Sequence, residues 1–464
     1  MTSEEVRIDI PTGRAGYDLF IGCKRLATYR VEGRTVITDA TSYAAVFGGH
    51  IDTRSIVSEA PHLMDFQTYL VQRALERRRF AIFADCGLGK TAMFLAWAHA
   101  VEKHGKVLIL CPLAVLKQIK RESERFHGTT LVDLRAGEAW TSGLAIMNYE
   151  SRRDIDMRGV AGIVLDESSI LKNDAGETRD FLIGLSANIP YRLATSATPA
   201  PNDHAEYASH AVFLGYARTS KEFYSQFFRK DGADWILRGH AIEPFYRNLA
   251  AWSTYIHSPR ALGFKQTTEM GDEPDYVFKN VAVHSGFRAK SGNMFASAES
   301  TEDRSAVFGE IRSTPGPRLS TIGDYLDGKR GIIWCGRNAE EDAIRAMLGK
   351  DVPVVNGAMP VEERVEIVDA YRSGSIRHII SKPKVLGFGV NIPECDHMVY
   401  SGFGWSFEQV YQAVRRAHRY GRSGRLEVMF PYTDPEAAVL QVLREKMDRF
   451  SGDVQTMQGR FWRG

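Results

Sequence analysis

Cysteine is scarce in this 464-residue chain, with five residues at Cys23, Cys86, Cys111, Cys335 and Cys395. The number is odd and no two stand as Cys-x-x-Cys, so neither a disulfide framework nor a cysteine-based zinc site is indicated. Buried, reduced thiols in a reducing compartment are expected instead, and with them a cytoplasmic location. Long apolar runs are missing too: no stretch reaches the ~18 residues of a membrane span. The segment from Met1 to Phe20 lacks the basic head and apolar run of a signal peptide, so no membrane association is expected. An excess of one charge is also absent, since 59 Lys and Arg against 57 Asp and Glu leave +2. Any nucleic-acid surface must then come from local basic clusters. What remains is ordinary for a globular protein: 44% hydrophobic and 25% charged residues, over a length that suggests roughly two to four domains.

Residues 1–60 read as short strands, with alternation over Val6–Ile10 and a hairpin in Leu26–Thr38 turning at Glu32–Gly33. They form a small β-rich accessory segment. From residue 61 short apolar runs alternate with helical patterns. The runs are Phe80–Ala84, Val107–Cys111, Leu144–Met147, Gly162–Leu165 and Tyr191–Thr195. Buried strands separated by helices imply a parallel sheet covered on both faces. A first lobe over 61–262 is expected, with an aromatic-rich helical extension after 203. A linker is expected over 263–324, clearest in the Ser-, Ala- and Gly-rich stretch 285–305. A second α/β lobe follows over 325–464, with strands near 331–335, 352–355, 378–380, 397–400 and 427–430.

The strongest local signal is the strand running into Ala84-Asp85-Cys86-Gly87-Leu88-Gly89-Lys90-Thr91, with a helix after it. This is a phosphate-binding loop with Ala in place of the usual first Gly. Glycines let backbone N–H groups turn inward around phosphate oxygens, and the helix N-terminus adds partial positive charge. Lys90 supplies full charge to the β- and γ-phosphates, and the Thr91 hydroxyl can ligate Mg²⁺. Further on, the apolar strand 162–165 ends in Asp166-Glu167. In such a sheet the first acid holds Mg²⁺ and the second orients the attacking water. Hydroxyls of the tight turn 195–202, Ser196 and Thr198 among them, can bond the acidic pair. Upstream, Phe66-Gln67 precedes a helix. An amide carries a donor and an acceptor together, which suits the edge of adenine.

The second lobe carries Gln412 followed by Arg415, Arg416, His418, Arg419, Gly421 and Arg422. Five arginines and no acids lie between Gln412 and Arg425. Arg416 and Arg419 share one helical face if the helix continues, a spacing that can clamp phosphate oxygens as arginine fingers. Before them, Gly387 and Gly389 allow close backbone approach to a ligand in a loop ending at Asn391.

In order and spacing these segments resemble the helicase motifs of superfamily 2, in particular its Swi/Snf-type DNA translocases. The resemblance covers about 61–262 and 325–430. Phe66-Gln67 resembles the Q motif, 84–91 motif I, Pro112-Leu113 motif Ia and Asn148-Tyr149-Glu150 motif Ib. Asp166-Glu167 with Lys172-Asn173 resembles motif II, 195–202 motif III, Ile333-Trp334 motif IV and 387–391 motif V. Trp405-Ser406 with Gln412 to Gly421 resembles the Swi/Snf tryptophan segment and motif VI. The resemblance implies two tandem RecA-like lobes that hydrolyse ATP with Mg²⁺ between them, the arginines entering when the lobes close. It implies DNA as partner, duplex or branched, with Pro112, Asn148, Tyr149, Ser196, Thr198, Gly387, Asn391 and Trp405 contacting nucleic acid or coupling it to ATP, and Gly389 and Gln412 toward the nucleotide. Replication or recombination proteins are candidate partners, and a monomer is favoured. Compact versions of this plan occur in phage and prophage helicases. Ser168-Ser169 departs from the Ala-His or Ala-Asp usual after the acids, and Arg415 and Arg422 depart from Gly and Gln in motif VI. A fork-unwinding helicase and a nucleotide-gated DNA clamp remain open beside a translocase.

Overall fold

The computed structural model describes residues 5–13, 16, 19–20, 23–24, 26, 29–39, 53–151, 155–172, 176–232, 234–265, 273–281, 315–386, 391–402, 404, 406–419, 422 and 424–461. The chain forms two units, 1–265 with 454–464, and 266–453. No helix among the described residues is long and apolar enough to cross a membrane.

The first unit opens on a small antiparallel sheet of strands β1 (Glu5–Asp9), β2 (Arg30–Glu32) and β3 (Thr35–Asp39), in the order β1-β3-β2. Its core is Ile8, Cys23, Leu26 and Val36. The expected hairpin is present, turning at Gly33 in the left-handed region (φ +61°).

Helix α1 (Asp65–Arg77) then leads into a seven-stranded, wholly parallel sheet. Its strands are β4 (Arg79–Ala84), β5 (Lys106–Cys111), β6 (Val132–Asp133), β7 (Leu144–Asn148), β8 (Val160–Asp166), β9 (Tyr191–Ser196) and β12 (Ser253–Ile256). The order is β12-β4-β9-β8-β5-β7-β6. Every residue of β7, β8 and β9 is buried. That is why these strands read as unbroken apolar runs rather than alternations. Helices α2 (Lys90–Glu102), α3 (Leu113–His127) and α4 (Glu177–Ser186) connect them. Gly128, in left-handed backbone (φ +64°), closes α3.

The extension after 203 holds helices α5 (Tyr207–Leu214), α6 (Ser220–Phe227) and α7 (Ile242–Trp252) as expected. It also holds the hairpin β10 (Phe228–Asp231)–β11 (Asp234–Leu237) and the edge strand β12.

The second unit is a six-stranded parallel sheet of β13 (Asp275–Asn280), β14 (Gly331–Trp334), β15 (Val354–Val355), β16 (His378–Ser381), β17 (His397–Tyr400) and β18 (Glu427–Tyr432), in the order β13-β18-β17-β14-β16-β15. Helices α8 (Pro315–Leu326), α9 (Asn338–Leu348), α10 (Val361–Arg372) and α11 (Phe407–Val414) accompany it, and α12 (Ala437–Phe461) ends the chain. The core joins Ile322, Leu326, Ile333, Ile344, Ile380, Val399 and Met429.

The two tandem parallel-sheet lobes and the β-rich N-terminal segment are thus all present. The segment expected as linker differs. Strand β13 and helix α8 both start inside 263–324, and β13 pairs residue for residue with β18. As a half-exposed edge strand whose partner lies far downstream, β13 leaves no local apolar run. The stretch 285–305 lies outside the described residues.

Candidate nucleotide site

Strand β4 delivers the chain into the glycine-containing loop 85–89, the candidate phosphate loop, and α2 starts at Lys90. Gly87 (φ +88°) and Gly89 (φ +76°) hold left-handed backbone, which costs a residue with a Cβ about 1–2 kcal/mol. Gly89 has a second reason to be glycine: a Cβ there would lie 2.3 Å from Gln67 Nε2. The Gln67 amide is used on both sides. Its Nε2 donates to the Leu88 carbonyl at 2.9 Å, and its Oε1 accepts from the Met64 N–H at 2.9 Å. The amide thus braces the loop against the start of α1. Phe66 is buried in the core.

The Lys90 ammonium donates to the Ala84 carbonyl at 3.1 Å across the loop. Burial pushes its pKa down, but Cys86, Glu167, Asp166 and Asp85 outweigh burial and hold it above the usual lysine value. Asp85 accepts from the Cys86 N–H at 2.6 Å and meets His257 Nδ1 at 2.7 Å. His257 follows β12, so that edge strand also ties down the loop. Leu88 is fully buried beneath it, and Thr91 lies half-buried in the first turn of α2.

Asp166 ends β8 and is 6% exposed. Its Oδ1 accepts from Thr195 Oγ1 at 3.0 Å, and its carbonyl accepts from Tyr149 Oη at 2.5 Å. Burial, and after it the like charge of Glu167, raise the Asp166 carboxyl to about 7. Glu167 sits in left-handed backbone (φ +53°). Its Oε2 is buried with no hydrogen-bond partner among the described residues. Two crowded carboxylates beside a lysine form a site short of positive charge. Hard oxygens from Asp166 and Thr91 fit Mg²⁺, which is commonly held by one or two protein oxygens plus substrate phosphates. Among the described residues no cluster of three or more His, Cys, Asp or Glu side chains could hold a metal ion by itself.

In the turn after β9, Ser196 Oγ accepts from the Thr198 N–H at 3.1 Å, while Thr198 Oγ1 is buried with no partner among the described residues. Pro112 caps the start of α3. Asn148, expected toward nucleic acid, is buried instead. Its amide is fastened to Glu150 at 2.5 Å and to Ser151 at 2.6 Å. Tyr149 is buried against Asp166. Tyr149 thereby joins the end of β7, which it follows, to the end of β8.

In the second unit α11 ends at Val414, and residues 415–419 continue as turns. Arg416 and Arg419 therefore do not share a helical face, because the helix does not continue. Arg415 and His418 are buried and bonded to each other. Arg422 is also buried, donating to the carbonyls of Pro393 (2.9 Å), Cys395 (2.6 Å) and Arg425 (2.8 Å) and to Asp396 Oδ1 (2.8 Å). Arg416, Arg419 and Gln412 are half-buried, and Arg416 Nε has no partner among the described residues. The Asn391 carbonyl accepts from Arg372 Nε at 3.1 Å. Gly387, Gly389, Trp405 and Gly421 lie outside the described residues.

Sequence reasoning passed over a cavity of about 300 Å³ at the C-terminal ends of β14, β16 and β17, lined by Arg337, Glu340, Lys382, Lys384 and Gln409 among others. Glu340 accepts from the Gly336 N–H at 2.9 Å, and a Cβ on Gly402 would lie 2.6 Å from its carboxylate. The signal was Lys382-Pro-Lys384, which stood beside the glycines that drew attention.

Residues 318–421 match the family model described as helicase conserved C-terminal domain. Over these residues the second unit is similar to helicase C-terminal domains. This bears out, over that unit, the resemblance drawn from the motif series. Among solved structures the chain is similar to the Sulfolobus solfataricus SWI2/SNF2 ATPase core in complex with dsDNA, at 20% identity over 85% of this chain and 94% of that one. The TM-score is 0.40.

Proposed function

We propose that this chain is an ATP-driven DNA translocase of superfamily 2, of the Swi/Snf type. The observation that carries the reading is the convergence of Lys90, Asp166, Glu167 and Thr195 at the strand ends of the first sheet. The helicase-domain match over the second unit supports it, and so does the Swi/Snf form of the motif order.

Lys90 would neutralise the outer phosphates, and Asp166 with Thr91 would hold Mg²⁺. Bound there, Mg²⁺ supplies charge neutralisation to the transferring phosphoryl group. Glu167, with a carboxylate oxygen left unbonded, would orient the attacking water. Arg416 and Arg419 are assigned as arginine fingers from the second unit, engaged at one stage of the cycle. Arg415 and Arg422 are left out because their guanidiniums are used within the fold. Grip on the phosphodiester backbone would make DNA binding largely sequence-independent and salt-sensitive.

The test is ATP turnover measured side by side with single-stranded DNA, duplex DNA, forks and RNA. Duplex DNA is expected to stimulate most, and triplex displacement without fork unwinding would mark translocation. Lys90→Ala and Glu167→Gln are expected to abolish stimulated turnover while the fold survives. Normal turnover in either variant would overturn the site, and stronger stimulation by RNA would overturn the subgroup.

A further inference from the structure

Glu167 and Arg78 are the two non-glycine residues with left-handed backbone among those described. A strained residue persists where its surroundings over-determine it, and for Glu167 the next residue supplies the constraint. Ser168 is fully buried, with its Oγ 3.0 Å from Nε2 of His210, itself fully buried on α5. The His210 ring stands edge-on to Phe83, at 5.3 Å and 88°, in the strand that leads into the phosphate loop. Its Nδ1 is buried with no hydrogen-bond partner among the described residues. Burial lowers the His210 pKa to about 4, so the ring stays neutral at physiological pH. A buried polar contact thus runs from His210 to Ser168, the residue that follows Glu167.

We propose that His210 is a positioning residue for ATP hydrolysis, holding Glu167 through Ser168. The inference rests on the ATPase reading. The serine that departs from the usual alanine after the acidic pair is then the link through which this histidine acts. The contact positions Glu167 and leaves the phosphate loop untouched, so its loss should act on turnover and spare ground-state binding.

The test uses the full chain with duplex DNA and compares Ser168→Ala, His210→Leu, the double variant, His210→Gln and Lys90→Ala. Readouts are kcat, KM for ATP, and the affinities for Mg·ADP and for its aluminium fluoride complex, which imitates the transferring phosphoryl group. Ser168→Ala and His210→Leu are each expected to lower kcat by roughly 10- to 100-fold, the scale of a misplaced catalytic group. KM and ADP affinity should stay within about twofold, and affinity for the fluoride complex should fall with kcat. The double variant should lose no more than the worse single, as partners in one contact do. His210→Gln, which keeps an acceptor for Ser168, should recover most of the rate. Should His210→Leu fail to fold, Ser168→Ala and His210→Gln decide by the same criteria. The proposal is overturned if Ser168→Ala retains full kcat, if the losses multiply, or if ADP affinity falls in parallel. Wild-type turnover in Lys90→Ala would instead bring down the ATPase reading, and this proposal with it.

Discussion

Replacing Asp166 by asparagine should make the protein inactive and more stable at the same time. The carboxyl is raised from 3.8 to about 7 by burial and by Glu167, so above pH 7 the fold carries an unfavourable charge. A shift of about 3 pKa units, at about 1.4 kcal/mol each, puts the ceiling of that cost near 4 kcal/mol. Relaxation and water entry reduce it, and about 1–3 kcal/mol is expected. The substitution removes the charge, and the new amide oxygen can still accept from Thr195. Between the unfolded and the folded pKa the folded state binds the extra proton. Wild-type stability therefore rises as pH falls through 7, and the gain is complete near pH 4. Thermal unfolding without Mg²⁺ should show Asp166→Asn melting about 3–8 °C above wild type at pH 8, by the usual scaling for units of this size. The difference should shrink by pH 5, and Mg·ADP should stabilise the wild type alone. A variant that melts at or below the wild type at pH 8 would refute the claim that the acidic pair is held under electrostatic strain.

Gly89→Ala combines a left-handed penalty of about 1–2 kcal/mol with loss of the Gln67–Leu88 hydrogen bond, about 1 kcal/mol. Chemical denaturation should show a loss of about 2–3 kcal/mol alongside weakened nucleotide binding, and an unchanged midpoint would mean the loop has another conformation open to it. Arg422→Ala removes the donor to the carbonyls of Pro393, Cys395, Gly424 and Arg425, and should destabilise the second unit by about 1–3 kcal/mol, read by urea denaturation, without changing nucleotide affinity. Arg419→Ala should do the reverse, keeping stability and ATP binding while losing hydrolysis; an unchanged kcat would remove it from the fingers. Mg·ATP should bind more tightly as pH rises through about 7, because Asp166 must give up its proton. Calorimetry in buffers of different ionisation enthalpy should detect that proton below pH 7, and its absence would place Asp166 outside the cation site.

Much of the first site was legible because phosphate chemistry fixes both residue type and spacing. A backbone cradle needs glycine where φ is positive, a lysine must follow at the helix start, and an acid must end a neighbouring strand. Gly87, Gly89, Lys90 and Asp166 meet those demands within short windows. The lobes were legible for a related reason: strands buried on both faces betray themselves as continuous apolar runs. Edge strands carry no such signature. β12 and β13 each find their sheet partner far along the chain, so no local pattern announced them. Gln67 was noticed for one use of its amide, toward a base edge, while its bonds to Leu88 and Met64 show another, bracing the loop.

The basic run near the C-terminus sharpens the same point. By composition its five arginines between Gln412 and Arg425 are interchangeable. Burial divides them. Arg415 and Arg422 spend their donors inside the fold, on His418 and on the chain from Pro393 to Asp396. A guanidinium so committed cannot turn toward an incoming phosphate without stranding the groups it satisfies, and a buried charge left unpaired costs several kcal/mol. Arg416 and Arg419, on the turns after Val414, are only half-buried and keep a path to solvent. The departures of Arg415 and Arg422 from the Gly and Gln usual at those places therefore add structure to the segment rather than further fingers. Arg425 is exposed and paired with Asp275 at 3.1 Å, so the phosphate chemistry proposed for the segment falls on Arg416 and Arg419, the two arginines assigned from the resemblance to motif VI.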